Sequence, residues 1–289
     1  MSSNEISVIS PFSEEVVFHV AGLAAGEVDG VVASARAAYL GWRGTHIAQR
    51  QALCTKVAAY FKEHQEAIAL DITAQMGKPI GQARGEVNGL VDRATHMIAI
   101  AEEALKDDVL PHKEGFARYI RHEPKGVVLD IAAWNYPLLI AVNVVIPAVL
   151  AGNAVIVKHS SKTPKCGTVF EEAFKAAGAP EGLVQAVAAD HKVTALLIQH
   201  TGVDHVSFTG SVSGGRQVNH SAADRFIEVG LELGGKDPAY VCADADFDWA
   251  VANCIDGAFY NAGQSCCAVE RIYVEAPIYD RFVEAAAEA

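Results

Sequence analysis

The sequence lacks the features that mark metal-binding, disulfide-bonded or nucleic-acid-binding proteins. Its six cysteines form no C-x-x-C pair and show no zinc-like spacing with the eleven histidines, so no metal site is expected. Residues 1–10 contain no secretion signal, which argues against a disulfide framework in a chain of 289 residues. A net charge of -12 without any basic tract argues against a nucleic-acid partner.

Long apolar runs are also missing. The most apolar stretch, residues 136–151, is interrupted by Asn143 and Pro147, and it falls short of the ~20 residues that a membrane-spanning helix needs. We therefore expect a buried helix there, no membrane partner, and a cytoplasmic protein whose free thiols are mostly buried. With 51% hydrophobic residues, the chain can bury a large core in roughly two domains.

What the sequence does contain is a change in the pattern of apolar residues along the chain. An edge strand or arm is predicted for residues 1 to about 25, followed by helices at 28–40, 47–76 and about 82–105. Residues 106–124, punctuated by proline and glycine, are predicted to be extended, either as a protruding ribbon or as a plain surface crossing. From residue 126 onward, short apolar strands alternate with helices, which predicts right-handed βαβ units and a doubly wound parallel sheet.

The strands of this sheet are expected at 127–132, 154–157, 183–187, 204–208 and 226–229. Ligands of such sheets bind at the carboxyl ends of the strands, and Asn135, Lys158 and Gly210 each follow a predicted strand. A second α/β unit begins after Glu232, with strands at 239–241 and 271–274 and helices at 246–260 and from 277. It has too few elements to close a core, so we expect an incomplete second domain.

Three residues in separate motifs suggest covalent chemistry. Cys266 is a thiol in a glycine-bearing turn, where a substrate can approach a nucleophile. Glu232 precedes two glycines and has the chemistry of a general base, while the amide of Asn135 in its turn suits an oxyanion. Each also has a plain interpretation, as a buried thiol, an ion-paired surface carboxylate and a turn former. Cys267 is expected to be a buried thiol.

A glycine-rich loop at 208–215 joins a predicted strand to a helix, and its backbone N–H groups suit an anion. It is not a G-x-G-x-x-G loop. Arg216 and Gln217 stand where a Walker A loop needs Lys and Ser/Thr, which argues against a P-loop NTPase. A purely structural turn stays open for this loop, and a solvated strand end stays open for Lys158.

Taken together and in this order, the motifs resemble those of the NAD(P)-dependent aldehyde dehydrogenase superfamily. The segments are WNYP at 134–137, VIVK at 155–158, FTGS at 208–211, ELGGK at 232–236 and NAGQSC at 261–266. The resemblance is to the N-terminal portion of such enzymes and implies an α/β, aldehyde-dehydrogenase-like fold. Its parts are a doubly wound Rossmann-type cofactor domain at 1–105 and 125–234, an oligomerisation ribbon at 106–124, and the start of a truncated catalytic domain at 235–289.

The resemblance also implies a reaction, the oxidation of a small-molecule aldehyde to a carboxylic acid. Cys266 would attack the aldehyde carbon, Asn135 and the Cys266 backbone N–H would hold the oxyanion, and Glu232 would activate water to release the acid. NAD or NADP would lie along the sheet edge. The residues implied to contact it are Trp134, Lys158, Ser161, Gly210, Ser211, Gly215 and Leu233.

The sequence departs from the family pattern in two places near the cofactor. Ser161, followed by Lys162, replaces a glutamate that often grips the adenine ribose. Because that carboxylate would repel a 2′-phosphate, we expect NADP to be at least tolerated. The glycine-rich turn usual after the strand at 183–187 is replaced by Ala-Ala-Asp-His at 188–191, which weakens the expectation of a pyrophosphate contact there.

The family's catalytic domain continues well beyond the equivalent of Ala289, so we expect a fragment with impaired activity. A dimer or tetramer is expected for the full-length enzyme. Two alternatives stay open: a catalytically silent NAD(P)-binding fragment, and a CoA-acylating aldehyde dehydrogenase. Glu232 argues against the second, because a hydrolytic base would compete with CoA for the thioester. A reductase running the reaction backwards also stays open, and the sequence does not specify which aldehyde is used.

Overall fold

The computed structural model describes residues 5–289, in which four helices precede a parallel sheet. The arm predicted at the N-terminus forms a hairpin over its described part, and residues 1–4 lie outside the described residues. In chain order the elements are β1 (Glu5–Ile9), β2 (Val16–Ala21), α1 (Val28–Trp42), α2 (Ile47–Glu63), α3 (Gln65–Met76), α4 (Ile80–Leu105), β3 (Asp108–Val109), β4 (Tyr119–Ile120), β5 (Val127–Ala132), α5 (Pro137–Leu150), β6 (Ala154–His159), α6 (Pro164–Ala176), β7 (Val184–Val187), α7 (His191–Gln199), β8 (His205–Gly210), α8 (Val212–Ala222), β9 (Glu228–Leu233), β10 (Asp237–Val241), α9 (Phe247–Phe259), β11 (Val269–Val274) and α10 (Tyr279–Glu288).

Five strands form a parallel sheet in the order β7-β6-β5-β8-β9, which confirms the predicted α/β fold with a parallel sheet. Every residue of β5 and β6 is buried, as expected for central parallel strands covered on both faces. Three two-stranded sheets accompany it: the antiparallel pairs β1-β2 and β3-β4 and the parallel pair β10-β11. No helix within residues 5–289 combines the length and the apolar character needed to cross a membrane.

Buried apolar side chains form two separate clusters. The large one surrounds the five-stranded sheet and includes residues of α1 through α8. The small one lies among β10, α9 and α10, with five buried members: Val241, Ala250, Val251, Cys254 and Phe282. The predicted division into a cofactor domain, a ribbon at 106–124 and a second domain from residue 235 stays a prediction.

Several predicted elements are wrong in their bounds. The strands expected at 154–157 and 204–208 each end two residues later, so Lys158 and Gly210 lie within strands rather than after them. The single helix expected at 47–76 is two helices, because His64 leaves helical geometry, with its ring stacked on Tyr60 at a centroid distance of 4.0 Å. No glycine or proline marks that break. The strand expected at 226–229 runs to Leu233, since β9 pairs with β8 residue by residue up to Gly210. Glu232 therefore lies in a strand rather than after it.

The prediction that most thiols are buried is also wrong. Cys54, Cys166 and Cys254 are buried, whereas Cys242, Cys266 and Cys267 are exposed. Cys267 in particular is not the buried thiol that was expected. It lies in a surface turn where no segment of the described chain packs over it, and its sulfur contacts the Tyr260 hydroxyl at 3.3 Å.

Asp130 in the middle of β5 predicts a pH-dependent stability. It is 1% exposed, its Oδ2 has no hydrogen-bond partner among residues 5–289, and burial raises its pKa well above the usual value. With a folded pKa above the unfolded one, the carboxyl group increasingly destabilises the fold as pH rises through these values. Asp130→Asn is therefore expected to raise the free energy of unfolding by about 1–3 kcal/mol at pH 8.

That gain should shrink towards pH 5, because the unfolded state gains less free energy from ionising this carboxyl as the pH approaches its unfolded pKa. Urea denaturation between pH 5 and pH 8 measures both values. The exposed Asp244 supplies the matched control, because Asp244→Asn should leave stability nearly unchanged at either pH. An Asp130→Asn effect that is equal at pH 5 and pH 8 would contradict the explanation.

Candidate active site

The residues predicted to carry chemistry meet at the carboxyl edge of the parallel sheet. A cavity of about 660 Å³ lies there, bordered by the ends of β5, β6, β8 and β9 and by the turn that carries Cys266. Two predicted residues lie elsewhere: Ser161 borders a separate cavity of about 410 Å³, and Gly215 is buried inside α8. Eight of the ten predicted residues line the main cavity: Trp134, Asn135, Lys158, Gly210, Ser211, Glu232, Leu233 and Cys266.

The turn before Cys266 has an unusual backbone. Asn261, Ala262 and Gly263 have φ values of 53°, 55° and 74°, so three successive residues lie in the left-handed region. This conformation costs an ordinary L-residue such as Ala262 about 1–2 kcal/mol. It persists because the surroundings hold Asn261, which is fully buried and whose backbone N–H donates to Oε1 of Gln82 at 2.8 Å.

Asn135 and this turn are joined by hydrogen bonds in both directions. The Asn261 side-chain amide donates to the backbone carbonyls of Asn135 at 2.9 Å and Gln264 at 3.0 Å. In return, the Asn135 amide donates to the Gln264 carbonyl at 3.1 Å. An amide nitrogen carries two N–H groups, so one stays available to a ligand. The interpretation of Asn135 as a turn former and its proposed chemical role are therefore compatible.

The two neighbouring thiols differ in access and acidity. Cys266 lines the cavity and is exposed as a residue, but the partial burial of its sulfur raises the pKa of its thiol, and the adjacent Cys267 raises it further. Cys267 does not line the cavity, while contacts with the Ser265 and Tyr260 hydroxyls lower the pKa of its thiol. Because a bound substrate can reach only a thiol that faces the cavity, access favours Cys266 as the nucleophile and acidity favours Cys267.

Glu232 lies on β9 opposite Thr209 of β8, and it is exposed at the cavity wall. The two glycines after it continue towards the thiol turn. The backbone N–H of Gly235 donates to the carbonyl of Cys266 at 3.0 Å. Gly235 and Cys266, 31 positions apart in the sequence, are thus joined directly, and the Glu232 carboxylate borders the same cavity as the thiol.

The N-terminus of α8 forms an anion cradle beside the thiol. Ser211 caps the helix by accepting from the N–H of Gly214 at 3.1 Å. A Cβ atom at Gly210 or Gly214 would come within 2.7 Å of the Phe208 ring, so glycine is what lets this backbone lie so close. Free N–H groups and the helix dipole favour a phosphate at such a terminus.

Lys158 adds positive charge to this cradle. It is 8% exposed, and it borders both the main cavity and an adjoining cavity of about 500 Å³ between α7 and α8. Burial lowers the pKa of its ammonium group, and Asp190 partly offsets that shift. The two adjoining cavities can therefore hold an extended ligand with an anionic centre. Within residues 5–289 no cluster of His, Cys, Asp or Glu is placed to hold a metal.

Sequence motifs missed the contribution of α4. Gln82 contacts Asn261 as described above, and Glu86 accepts from the backbone N–H groups of Leu138 and Leu139. Lys78, just before α4, pairs with Glu86. The spacing of four residues between Gln82 and Glu86 is a signal in the sequence, because residues four apart share one helix face. It did not indicate what that face contacts.

Family models and relatives agree on one class of protein. The model of the aldehyde dehydrogenase family matches residues 1–289. A 3,6-anhydro-alpha-L-galactose dehydrogenase of Streptomyces coelicolor is 37% identical over 284 residues, which cover 98% of this chain and 57% of that protein. An aldehyde dehydrogenase of Davidiella tassiana is 36% identical over 280 residues, covering 96% of this chain and 56% of its own length.

Solved structures give the same result. Betaine aldehyde dehydrogenase of Staphylococcus aureus in complex with NAD+ has a TM-score of 0.94 at 30% identity, covering 99% of this chain and 57% of its own. 3,6-anhydro-L-galactose dehydrogenase in complex with NADP also has a TM-score of 0.94 at 30% identity, covering 99% and 60%. The chain thus spans a little over half the length of the curated relatives that it matches.

Proposed function

The chain belongs to the aldehyde dehydrogenase family, and on that premise we propose that it oxidises a small-molecule aldehyde to a carboxylic acid with NAD+ or NADP+. The observation that carries the proposal is one cavity bordered by Cys266, Glu232 and Asn135 and by the cradle at α8. A nucleophile, a base and an oxyanion donor beside an anion cradle suit oxidation through an acyl-thioester.

In the first step, Cys266 loses its proton to solvent and its thiolate adds to the aldehyde carbon. The carbonyl oxygen becomes an oxyanion, which accepts from the free N–H of Asn135 and from the backbone N–H of Cys266. One such preorganised donor is worth about 3 kcal/mol in the transition state. The fixed hydrogen bond from Asn135 to Gln264 holds the amide in place, so little reorganisation is needed.

In the second step, the thiohemiacetal carbon loses hydride and a thioester stays on Cys266. A bound nicotinamide supplies the hydride acceptor. Glu232 then takes a proton from water, the oxygen of that water adds to the thioester carbon, and the thiolate of Cys266 leaves. The product is the carboxylic acid. Lys158 and the N-terminus of α8 would hold the anionic part of the cofactor and would take no part in the covalent steps.

Cys266 and Glu232 are both exposed in the described structure. Water at the site screens the charges that develop during the reaction, so we propose that this chain turns over slowly. The exposed ribbon at 106–124 is where we place self-association. Its apolar side chains face solvent: Val109, Phe116, Tyr119 and Ile120. The cytoplasmic location stays a prediction from the sequence.

The test of the proposed activity is an aldehyde-dependent rise in absorbance at 340 nm with NAD+ or NADP+, together with identification of the acid product. Cofactor binding without turnover would favour the alternative of a silent nucleotide-binding chain. An acyl-CoA product, formed only when CoA is present, would favour the acylating alternative. If the chain shows no cofactor binding and no turnover, the proposal is contradicted.

Cofactor choice gives a further prediction at Ser161. Its cavity of about 410 Å³ is also bordered by Trp134 and Lys162, whose ammonium lies 4.2 Å from the Trp134 ring centroid. A hydroxyl and an ammonium without a nearby carboxylate suit a 2′-phosphate, so the Kd for NADP should lie within about 100-fold of that for NAD. Ser161→Glu is expected to weaken NADP binding at least about tenfold and to leave NAD nearly unchanged.

Ser161→Gln is the matched control, because it adds the same bulk without the charge. It should weaken both cofactors equally or neither. Kd values come from the quenching of intrinsic tryptophan fluorescence on titration. A wild-type preference for NAD greater than about 100-fold would exclude the assignment of Ser161 and Lys162 to a 2′-phosphate.

A further inference from the structure

The start of α4 contacts the turn at 261–266, which carries Cys266, and the first turn of α5, which directly follows the turn at 134–137 with Asn135. We infer that Gln82 and Glu86 are positioning residues. They fix the position of the turn that carries Cys266 relative to the turn that carries Asn135. The inference rests on the proposed role of Cys266 as nucleophile. Neither side chain lines the main cavity, so neither acts on the substrate directly.

Gln82 fixes the entry to the thiol turn. Its Oε1 accepts from the backbone N–H of Asn261 at 2.8 Å, across 179 positions of sequence. Asn261 is fully buried and begins the left-handed turn, so its N–H has no access to water as a substitute partner. A buried N–H without an acceptor is costly, and the turn would move to find another. Such a movement would displace Cys266, five residues further on.

Glu86 fixes the start of α5, which directly follows the turn that carries Asn135. Its Oε1 accepts from the N–H groups of Leu138 at 2.8 Å and Leu139 at 3.2 Å, in the first turn of α5. A carboxylate suits that position, because the N-terminal end of a helix is positively polarised. The other oxygen of Glu86 pairs with Lys78, whose ammonium lies 3.8 Å from the centroid of the Tyr136 ring. Tyr136 directly follows Asn135.

One helix therefore holds both turns that carry the proposed oxyanion donors. The Asn135 amide and the Cys266 backbone N–H must point at one oxygen atom, and a misplacement of about 1 Å can cost about 100-fold in rate. Gln82 and Glu86 lie one helical turn apart on the rigid α4, so the spacing between the two turns is set by a regular element.

The experiment compares Gln82→Met with Gln82→Glu in the full chain. Met removes the acceptor at similar length, whereas Glu retains an acceptor oxygen. We expect hydrogen exchange of the amides at 261–266 to be about fivefold faster in Gln82→Met and close to wild type in Gln82→Glu. Iodoacetamide labelling of Cys266, measured against the exposed Cys242 as internal reference, should change in Gln82→Met and be restored in Gln82→Glu.

Asn88→Leu is the matched control, because Asn88 on the same helix accepts from Gln65 at 2.7 Å and does not contact either turn. It should leave exchange at 261–266 unchanged. Wild-type exchange in Gln82→Met would overturn the inference, as would equal loss in the Met and Glu variants. The exchange result does not depend on turnover. If wild-type Cys266 proves unreactive, the proposed function fails while the positioning of the turn is still decided.

Discussion

Replacement of Cys266 by alanine is expected to reduce aldehyde-dependent NAD(P)H formation below detection while cofactor binding is little changed. Without the sulfur no thiohemiacetal or thioester can form, and loss of a catalytic nucleophile costs on the order of 10³-fold or more in kcat. The cradle at α8 and Lys158 lie on other elements and should bind the cofactor as before. Absorbance at 340 nm and a cofactor titration measure the two effects separately.

Cys267→Ala is the variant that makes this result specific. The two thiols are adjacent, and the lower pKa belongs to Cys267. If acidity alone selected the nucleophile, Cys267→Ala would abolish turnover and Cys266→Ala would not. We expect the reverse, because only Cys266 borders the cavity where the aldehyde must lie next to the cofactor. The remote thiol variant Cys242→Ala should behave as wild type.

The alkylation of Cys266 should also depend on pH in a defined direction. Since only the thiolate reacts and the pKa of Cys266 is raised, its labelling rate should keep rising above the ~8.5 of an ordinary thiol. The neighbouring Cys267 contributes to that shift. Cys267→Ala should therefore move the pH profile of Cys266 back towards lower pH, which peptide mapping by mass spectrometry can follow. A profile unchanged by Cys267→Ala would contradict this account.

The sequence predicted the positions of the candidate site residues better than it predicted the contacts that hold them in place. Asn135, Lys158, Gly210 and Glu232 lie at or just after strand ends, and in a parallel sheet those ends meet at one edge. Their arrival at a common cavity with Cys266 followed from a rule of topology. The contacts that hold the site do not follow such a rule. Glu86 reaches Leu138 across 52 positions, and no local pattern records that pairing.

Errors arose where a neighbouring segment decided the outcome. Free cysteines are usually buried, but the exposure of Cys267 depends on which segments pack over its turn. The end of β9 depends on continued pairing with β8 and cannot be read from its own residues. The break at His64 is of another kind, because it lies inside a regular helical pattern with no glycine or proline to signal it.

The largest loss of stability is expected for Lys78→Met. Lys78 and Glu86 are 0% and 1% exposed at their side chains, so their pair is fully removed from water. Breaking a buried pair by removing one partner typically costs about 3–5 kcal/mol, because the remaining charge is left without compensation. Removing both charges in Lys78→Met/Glu86→Gln should recover most of that loss. The glutamine oxygen can still accept from Leu138 and Leu139.

Arg84→Ala, in the first turns of α4, is the matched control. Arg84 pairs with Glu66 at 2.8 Å, but both side chains are exposed, and exposed pairs contribute little. Urea denaturation at pH 7 should therefore give Lys78→Met a much lower free energy of unfolding than wild type. Arg84→Ala should have nearly the free energy of unfolding of wild type. Equal effects of the two variants would show that the buried pair does not stabilise the start of α4.

The pH dependence of the Lys78→Met effect separates a lost charge from lost packing. Burial raises the pKa of Glu86, and Lys78 partly offsets that shift. Without Lys78 the folded pKa rises further above the unfolded value near 4.3, so stability is retained below that value and lost as pH rises through the folded pKa. The deficit of Lys78→Met relative to Lys78→Met/Glu86→Gln should thus shrink as the pH is lowered towards 5. A deficit that is constant between pH 5 and pH 8 would contradict the assignment of the loss to the uncompensated charge of Glu86.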